Sequence, residues 1–87
     1  MQTIQNNTDL NNVTANGWYR CTGSTSAATL SHCPTGAAFI MYVGPKSTGI
    51  YEQLILGVSS NAPVMFLRHK TTSAWSSWYK FEGTEVT

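Results

Sequence analysis

Five short runs of β-branched, aromatic and aliphatic residues, each fenced by Gly, Pro, Ser, Asn or Thr, restrict this chain to a sheet-built fold. They are Trp18 to Thr22, Ala37 to Val43, Glu52 to Ser59, Pro63 to Lys70 and Trp78 to Glu82. No segment has the length and 3.6-residue period of a long helix. In the third run Leu54, Leu56 and Val58 share one face, with Gln53, Ile55 and Gly57 on the other, which predicts a half-buried strand with its leucines inward. The second run, Phe39 to Val43, is apolar on both faces, as in a central strand or one covered by another subunit. The turn Ser59 to Pro63 predicts a hairpin, and short sequential connections favour an antiparallel meander. The expected fold is all-β: a small antiparallel sheet, or a partly open barrel or sandwich, of about five strands.

The predicted core is Trp18, Phe39, Leu54, Leu56, Phe66 and Trp78. Residues Met1 to Asn16 are rich in Asn and Thr, with Ile4, Leu10 and Val13 as apolar anchors; 1–8 reads as a linker arm, 9–82 as the β domain and 83–87 as a C-terminal tail. At 87 residues and 9.5 kDa this is a single domain.

Only 10% of residues are charged, against about 25% in an average soluble domain, so the surface is neutral and hydroxyl-rich. A net charge of +1 without a basic run offers no footprint for nucleic acid. No apolar run reaches the roughly 18 to 20 residues of a bilayer span, so membrane insertion is not expected, and the first residues lack the charged start and apolar centre of a signal peptide.

Catalysis needs positioned acids, bases or nucleophiles, and the four carboxylates, Asp9, Glu52, Glu82 and Glu85, are scattered. Glu52 with Glu82 is the one strand-borne pair, and both read as solvated strand-end charges. Cys21, His32, Cys33 and His69 hold the donor atoms of a zinc site, but adjacent His32 and Cys33 break the usual ligand spacing. His32 cannot readily activate its own neighbour. The expectation is no enzyme, no cofactor and no metal. The aromatics are the candidate contact surface, because indole and phenol faces stack on sugar rings while amides and hydroxyls bond sugar oxygens. The contact group is Tyr51, Arg68, His69 and Trp75, and it makes a carbohydrate-binding module the alternative reading.

One ordered set of short motifs goes further: Asp9-Leu10-Asn11 and Gly17-Trp18-Tyr19, the Cys33-Pro34 turn before Phe39 to Val43, Gln53-Leu54-Ile55-Leu56, Phe66-Leu67-Arg68, and the closing Trp75-Ser76-Ser77-Trp78. In order and spacing, from Asp9 to Phe81, this set resembles the pyocin-knob-like domains of phage tail fibres, baseplate proteins and tail-derived bacteriocins. The resemblance implies a β-rich knob on a homotrimeric fibre, a spacer or a surface touching the bacterial envelope. It also implies a virion tail protein assembled in the host cytoplasm, and a segment of a longer chain. Cys21 and Cys33 are not features of that family, and the reducing cytoplasm favours free thiols there.

Overall fold

The computed structural model describes residues 1–87 as one open six-stranded sheet in sequence order. Its strands are β1 (Gln2–Thr3), β2 (Gly17–Cys21), β3 (Phe39–Ser47), β4 (Ile50–Ser59), β5 (Ala62–Lys70) and β6 (Tyr79–Glu82). The last five form an antiparallel meander, as short connections dictate. Each predicted run holds a strand, and the sheet stays open rather than closing into a barrel. The β3–β4 hairpin turns on Thr48 and Gly49, where glycine takes φ 76°. The β4–β5 hairpin turns on Ser60 (φ 52°) and Asn61 (φ 65°), the two left-handed residues of a type I′ turn, whose twist matches that of the flanking strands.

The first eight residues are not a free linker. Gln2 and Thr3 pair in parallel with Tyr19 and Arg20, the Ile4 amide donates to the Arg20 carbonyl at 2.9 Å, and Ile4 is buried. The signal was weak because the segment is otherwise polar and the strand is two residues long. Beyond it Asp9 caps a single 3₁₀ turn, Leu10–Asn12, by accepting the Asn11 amide at 2.9 Å. A short helix α1 (Ser24–Ala27) and the strand-free segment up to Ala38 complete the covering layer.

That layer covers one face of the sheet. Tyr19, Cys21, Phe39, Met41, Val43, Ile55, Val64 and Phe66 form a core with Ile4, Leu10 and Ala27, and Val13, Leu30, Cys33 and Trp78 pack around it. Burying a side chain the size of Ile55 or Phe66 contributes about 1.5 to 3 kcal/mol. The hydroxyl of Tyr19 donates to the Ala15 carbonyl at 2.6 Å and pins the arm to the sheet.

The sidedness of β4 is the reverse of the expectation. Gln53 and Ile55 are fully buried on the core face, while Leu54 and Leu56 are half-buried on the other and Val58 is 50% exposed. The reason lies in the arm, whose 3₁₀ turn presents the Leu10 and Val13 carbonyls to the sheet. Buried carbonyls need donors, and the Gln53 side-chain amide supplies both bonds, at 2.8 and 2.9 Å. Phe39 and Phe66 lie in the core as expected and Trp78 at its edge, but Trp18 is 43% exposed, because its strand turns Tyr19 and Cys21 inward.

Candidate functional site

The densest polar arrangement in the molecule is built around Arg68. On β5 the side chains of Val64, Phe66 and Arg68 alternate onto the core face, and Arg68 pairs across the sheet with Gln53. After Lys70 the chain reverses at Thr71 to Ala74, with the Thr71 amide bonded to the Ala74 carbonyl at 3.0 Å, and runs back beside β5. The Ser76 amide donates to the His69 carbonyl at 2.8 Å, and the His69 amide donates to the Ser76 hydroxyl at 3.1 Å. This return lays two indoles against Arg68, with its guanidinium carbon 4.1 Å from the Trp75 ring centroid and 4.5 Å from that of Trp78.

The guanidinium then ties the sheet to the arm. Its Nε donates to Gln53 Oε1 at 2.9 Å and its Nη1 to Asn11 Oδ1 at 2.8 Å. Nη2 is buried without a partner. A second link closes the ring: Trp78 Nε1 donates to the His32 carbonyl at 2.8 Å, and His32 Nδ1 lies 2.8 Å from Asp9 Oδ1. Asp9 in turn caps the turn that carries Asn11.

Burial pulls Arg68 down to about 10, which leaves it a cation at neutral pH; the negative charge of Asp9 opposes that shift. The Asn11 amide, and next the hydrogen bond from His32, hold the Asp9 carboxyl below its ordinary value. Burial pushes the Cys33 thiol up, which makes it a poor nucleophile, and it donates to the Thr35 carbonyl at 3.2 Å. Cys21 and Cys33 are separate free thiols.

The predicted contact group is brought together only in part. Arg68 and Trp75 stack, but Arg68 is 4% exposed and serves as a buried tie. His69 falls on the opposite face of β5, paired with Glu52. Tyr51, which follows the turn-prone run Gly44 to Ile50 and so reads as a loop residue, sits instead on β4 between Pro45 and Lys70, because β3 runs on through Ser47 and takes up most of that run. Glu52 and Glu82 do not face each other; Glu52 pairs with His69 and bonds Lys46 at 2.7 Å, while Glu82 pairs with Val64, on the other face. Asn11, Gln53, Asp9 and His32 were missed. Asp9 carried a signal, since Asp is a favoured cap whose side chain accepts the backbone amide two residues on, whereas Gln53 looked like the polar side of a strand.

Two recesses flank the Arg68 tie. One, of about 480 Å³, is bordered by Asn11, His32, Lys70, Trp75 and Ser77. The other, of about 210 Å³, lies on the far side among Glu52, Leu67, His69, Tyr79 and Phe81. Serine and histidine border both, and the Ser76 hydroxyl, which both share, accepts from the His69 amide and donates to the Ser77 carbonyl at 2.9 Å.

The larger surface is the second face of the sheet. Cross-strand pairing aligns Trp18, Tyr42, Leu54, Leu67 and Tyr79 in one row, and Arg20, Ile40, Leu56, Met65 and Phe81 in the next. Nothing in the chain covers them, and Met65, Phe81 and Tyr79 are 44, 47 and 63% exposed. Trp18 and Tyr42 lean together, with centroids 5.1 Å apart, and the Tyr42 ring lies so close over Gly44 that a Cβ there would meet it at 2.8 Å. Compared with protein-family models, with curated proteins and with solved structures, the chain matches none.

Proposed function

We propose that this chain is a non-enzymatic structural module of a phage or prophage tail fibre or baseplate protein, a compact spacer that packs against other copies of itself, three in the parent fibre. The observation that carries the structural half is the bare apolar face: two full rows of large side chains span five strands without a cover. Monomeric proteins rarely leave contiguous apolar patches larger than a few hundred Å² in water. The one buried cation supports the same reading, because Arg68 is spent on joining the arm to the sheet. The tail context rests on the resemblance of the ordered motifs between Asp9 and Phe81 to those of pyocin-knob-like domains. The parent gene tests it directly: repetitive fibre sequence or tail genes on either side are expected, and a metabolic or regulatory setting would overturn the context.

A second reading, a carbohydrate-binding module for bacterial surface glycans, is favoured by the recess beside Trp75, where an indole stands with the Lys70, Ser77 and Asn11 side chains. Lys70→Ala and Ser77→Ala leave the Arg68 tie intact. Under this reading both weaken binding on an array of bacterial glycans, and a signal equal to that of the unmodified chain in both variants rules this recess out.

A further inference from the structure

We infer that copies of this chain meet through the bare face about a rotation axis parallel to the strands and lying over β4, so that Leu54 and Leu56 of each copy stand at the axis. The inference rests on the proposed reading as an assembly module and names the surface and contacts that reading leaves open.

The size of the face selects the occupant. Five strands at about 4.8 Å spacing span about 19 Å; β3, β4 and β5 carry four residue rows on this face, about 20 Å, while β2 and β6 carry only the two central rows, about 7 Å. With its side-chain margins the face offers on the order of 500 Å², near the lower end of the roughly 600 to 1,000 Å² that each partner contributes to a stable interface. A peptide or a sugar would leave most of it wet. A partner as broad and flat as the sheet itself is needed, and a second copy of the chain is one.

The distribution of side chains selects the axis. β4 is the third of the five strands, and it carries the leucines; the bulky rings lie toward the margins, with Trp18 on β2 and Tyr79 and Phe81 on β6. Rotation about an axis parallel to the strands preserves the height of each row while bringing the β2 margin of one copy to the β6 margin of another. Trp18 then meets Tyr79 of the next copy. Arg20, the one charge in the two central rows, meets Phe81, where a ring face accommodates a cation. Arg20 Nε already donates to the Thr3 hydroxyl of its own chain at 3.1 Å. Leu54 and Leu56 meet their own equivalents, with the sheets about 10 Å apart. The remaining charge nearby, Glu52, is neutralised within its own chain by Lys46 and lies beyond the two rows. The axis over β4 also brings Glu52 of each copy toward its equivalent, and each of these carboxylates arrives already paired with its own Lys46 at 2.7 Å. A two-fold sets two sheets face to face, whereas a three-fold inclines three sheets around the axis; both keep the leucines at the axis and join the β2 margin to the β6 margin, and mass reads the number of copies.

The test uses the 87-residue chain in analytical ultracentrifugation over a wide concentration range, with Leu56→Lys, Met65→Lys and Leu56→Cys variants. The expected result is an assembly of two or three 9.5 kDa copies that both lysine variants reduce to folded monomer, each weakening association at least tenfold. A short bis-maleimide is expected to join Leu56→Cys copies into a covalent pair, because sheets about 10 Å apart hold the two thiols beyond disulfide reach, and the chain's own Cys21 and Cys33 are not expected to give that pair. Met65 is 44% exposed, so its replacement tests the interface without disturbing the core. A monomer at every concentration, or an assembly indifferent to both lysines, overturns the inference while leaving the gene-context test of the tail reading untouched. An assembly dissolved by the lysines but not cross-linked through Leu56→Cys overturns the placement of the axis.

Discussion

Ile55 and Leu56 are neighbours on one strand, similar in size and hydrophobicity, and they live in different surroundings. Ile55 is fully buried in the cluster that Leu10 and the N-terminal arm close, while Leu56 stands on a face that nothing in the chain covers. The same contrast runs the width of the sheet: Tyr19 against Trp18, Met41 against Tyr42, Phe66 against Met65. Apolar character did not decide which face became the core. Supply of covering chain did: residues before β2, the connection between β2 and β3, and the return through Trp78 all lie on one side of the sheet. A sheet with two apolar faces and one cover therefore has one half of its apolar surface left for a neighbour.

The largest expected effect breaks or confirms this contrast on a single strand. Ile55→Ala should cost about 2 to 5 kcal/mol in urea unfolding, the range for a large aliphatic removed from a packed core. Leu56→Ala should cost less, about 1 to 2 kcal/mol at concentrations where the chain is monomeric, because that side chain is only partly buried and keeps some contact with water. Equal penalties would mean that the second face is covered after all.

Next in size is the tie between the arm and the sheet. Arg68→Met removes the donors to Gln53 and Asn11 and the cation between the two indoles, and should destabilise by about 3 kcal/mol, since bonds to charged groups contribute about 1.5 to 3 kcal/mol each and partners are left unpaired. Trp75 and Trp78 emission should shift as their packing loosens. Arg68→Lys should recover little, because an ammonium cannot reproduce two in-plane bonds and a stack at once. Loss of the tie should leave self-association intact; a change there would show the two faces to be coupled.

Much of this was legible in the residues, and the failures have a common cause. Gly, Pro, Ser and Asn clusters mark the strand boundaries, because turn chemistry is local, and so Phe39 and Phe66 were correctly read as core. Sidedness is not local. Gln53 looked solvent-facing until the Leu10 and Val13 carbonyls were placed above it, a contact 40 and more residues away along the chain. Trp18 was read as core because tryptophan usually is, although the alternation that buries Tyr19 and Cys21 must turn it out. Arg68 was legible as important, but as a contact residue; its role depends on Asn11, in an arm whose polar sequence hid how firmly it docks.

A smaller effect comes from acid. The folded carboxyl of Asp9 is held below its ordinary value, so between the folded and unfolded values the folded chain binds fewer protons and stability rises with pH. Its contribution is complete above the unfolded value near 3.8 and is lost as pH falls through the folded one. Urea midpoints should therefore decline below about pH 4, and Asp9→Asn, which keeps a capping oxygen without the charge, should flatten that decline. Parallel curves for the two chains would remove Asp9 from the account of how the cover is held.

The smallest effect belongs to neither face and so calibrates both. Ser60 and Asn61 both hold left-handed backbone in the β4–β5 turn, where an L residue pays a steric penalty that Asn softens and Gly escapes. Ser60→Asn with Asn61→Gly supplies the pair this turn prefers and should stabilise by roughly 0.5 to 1 kcal/mol. Because the turn touches neither the core cluster nor the two apolar rows, the penalties of Ile55→Ala and Leu56→Ala should be unchanged in this background, as distant sites add. If the penalty of Leu56→Ala grows there, tightening the hairpin has altered the bare face, and the difference between the two sides is set by strand geometry as well as by the supply of cover.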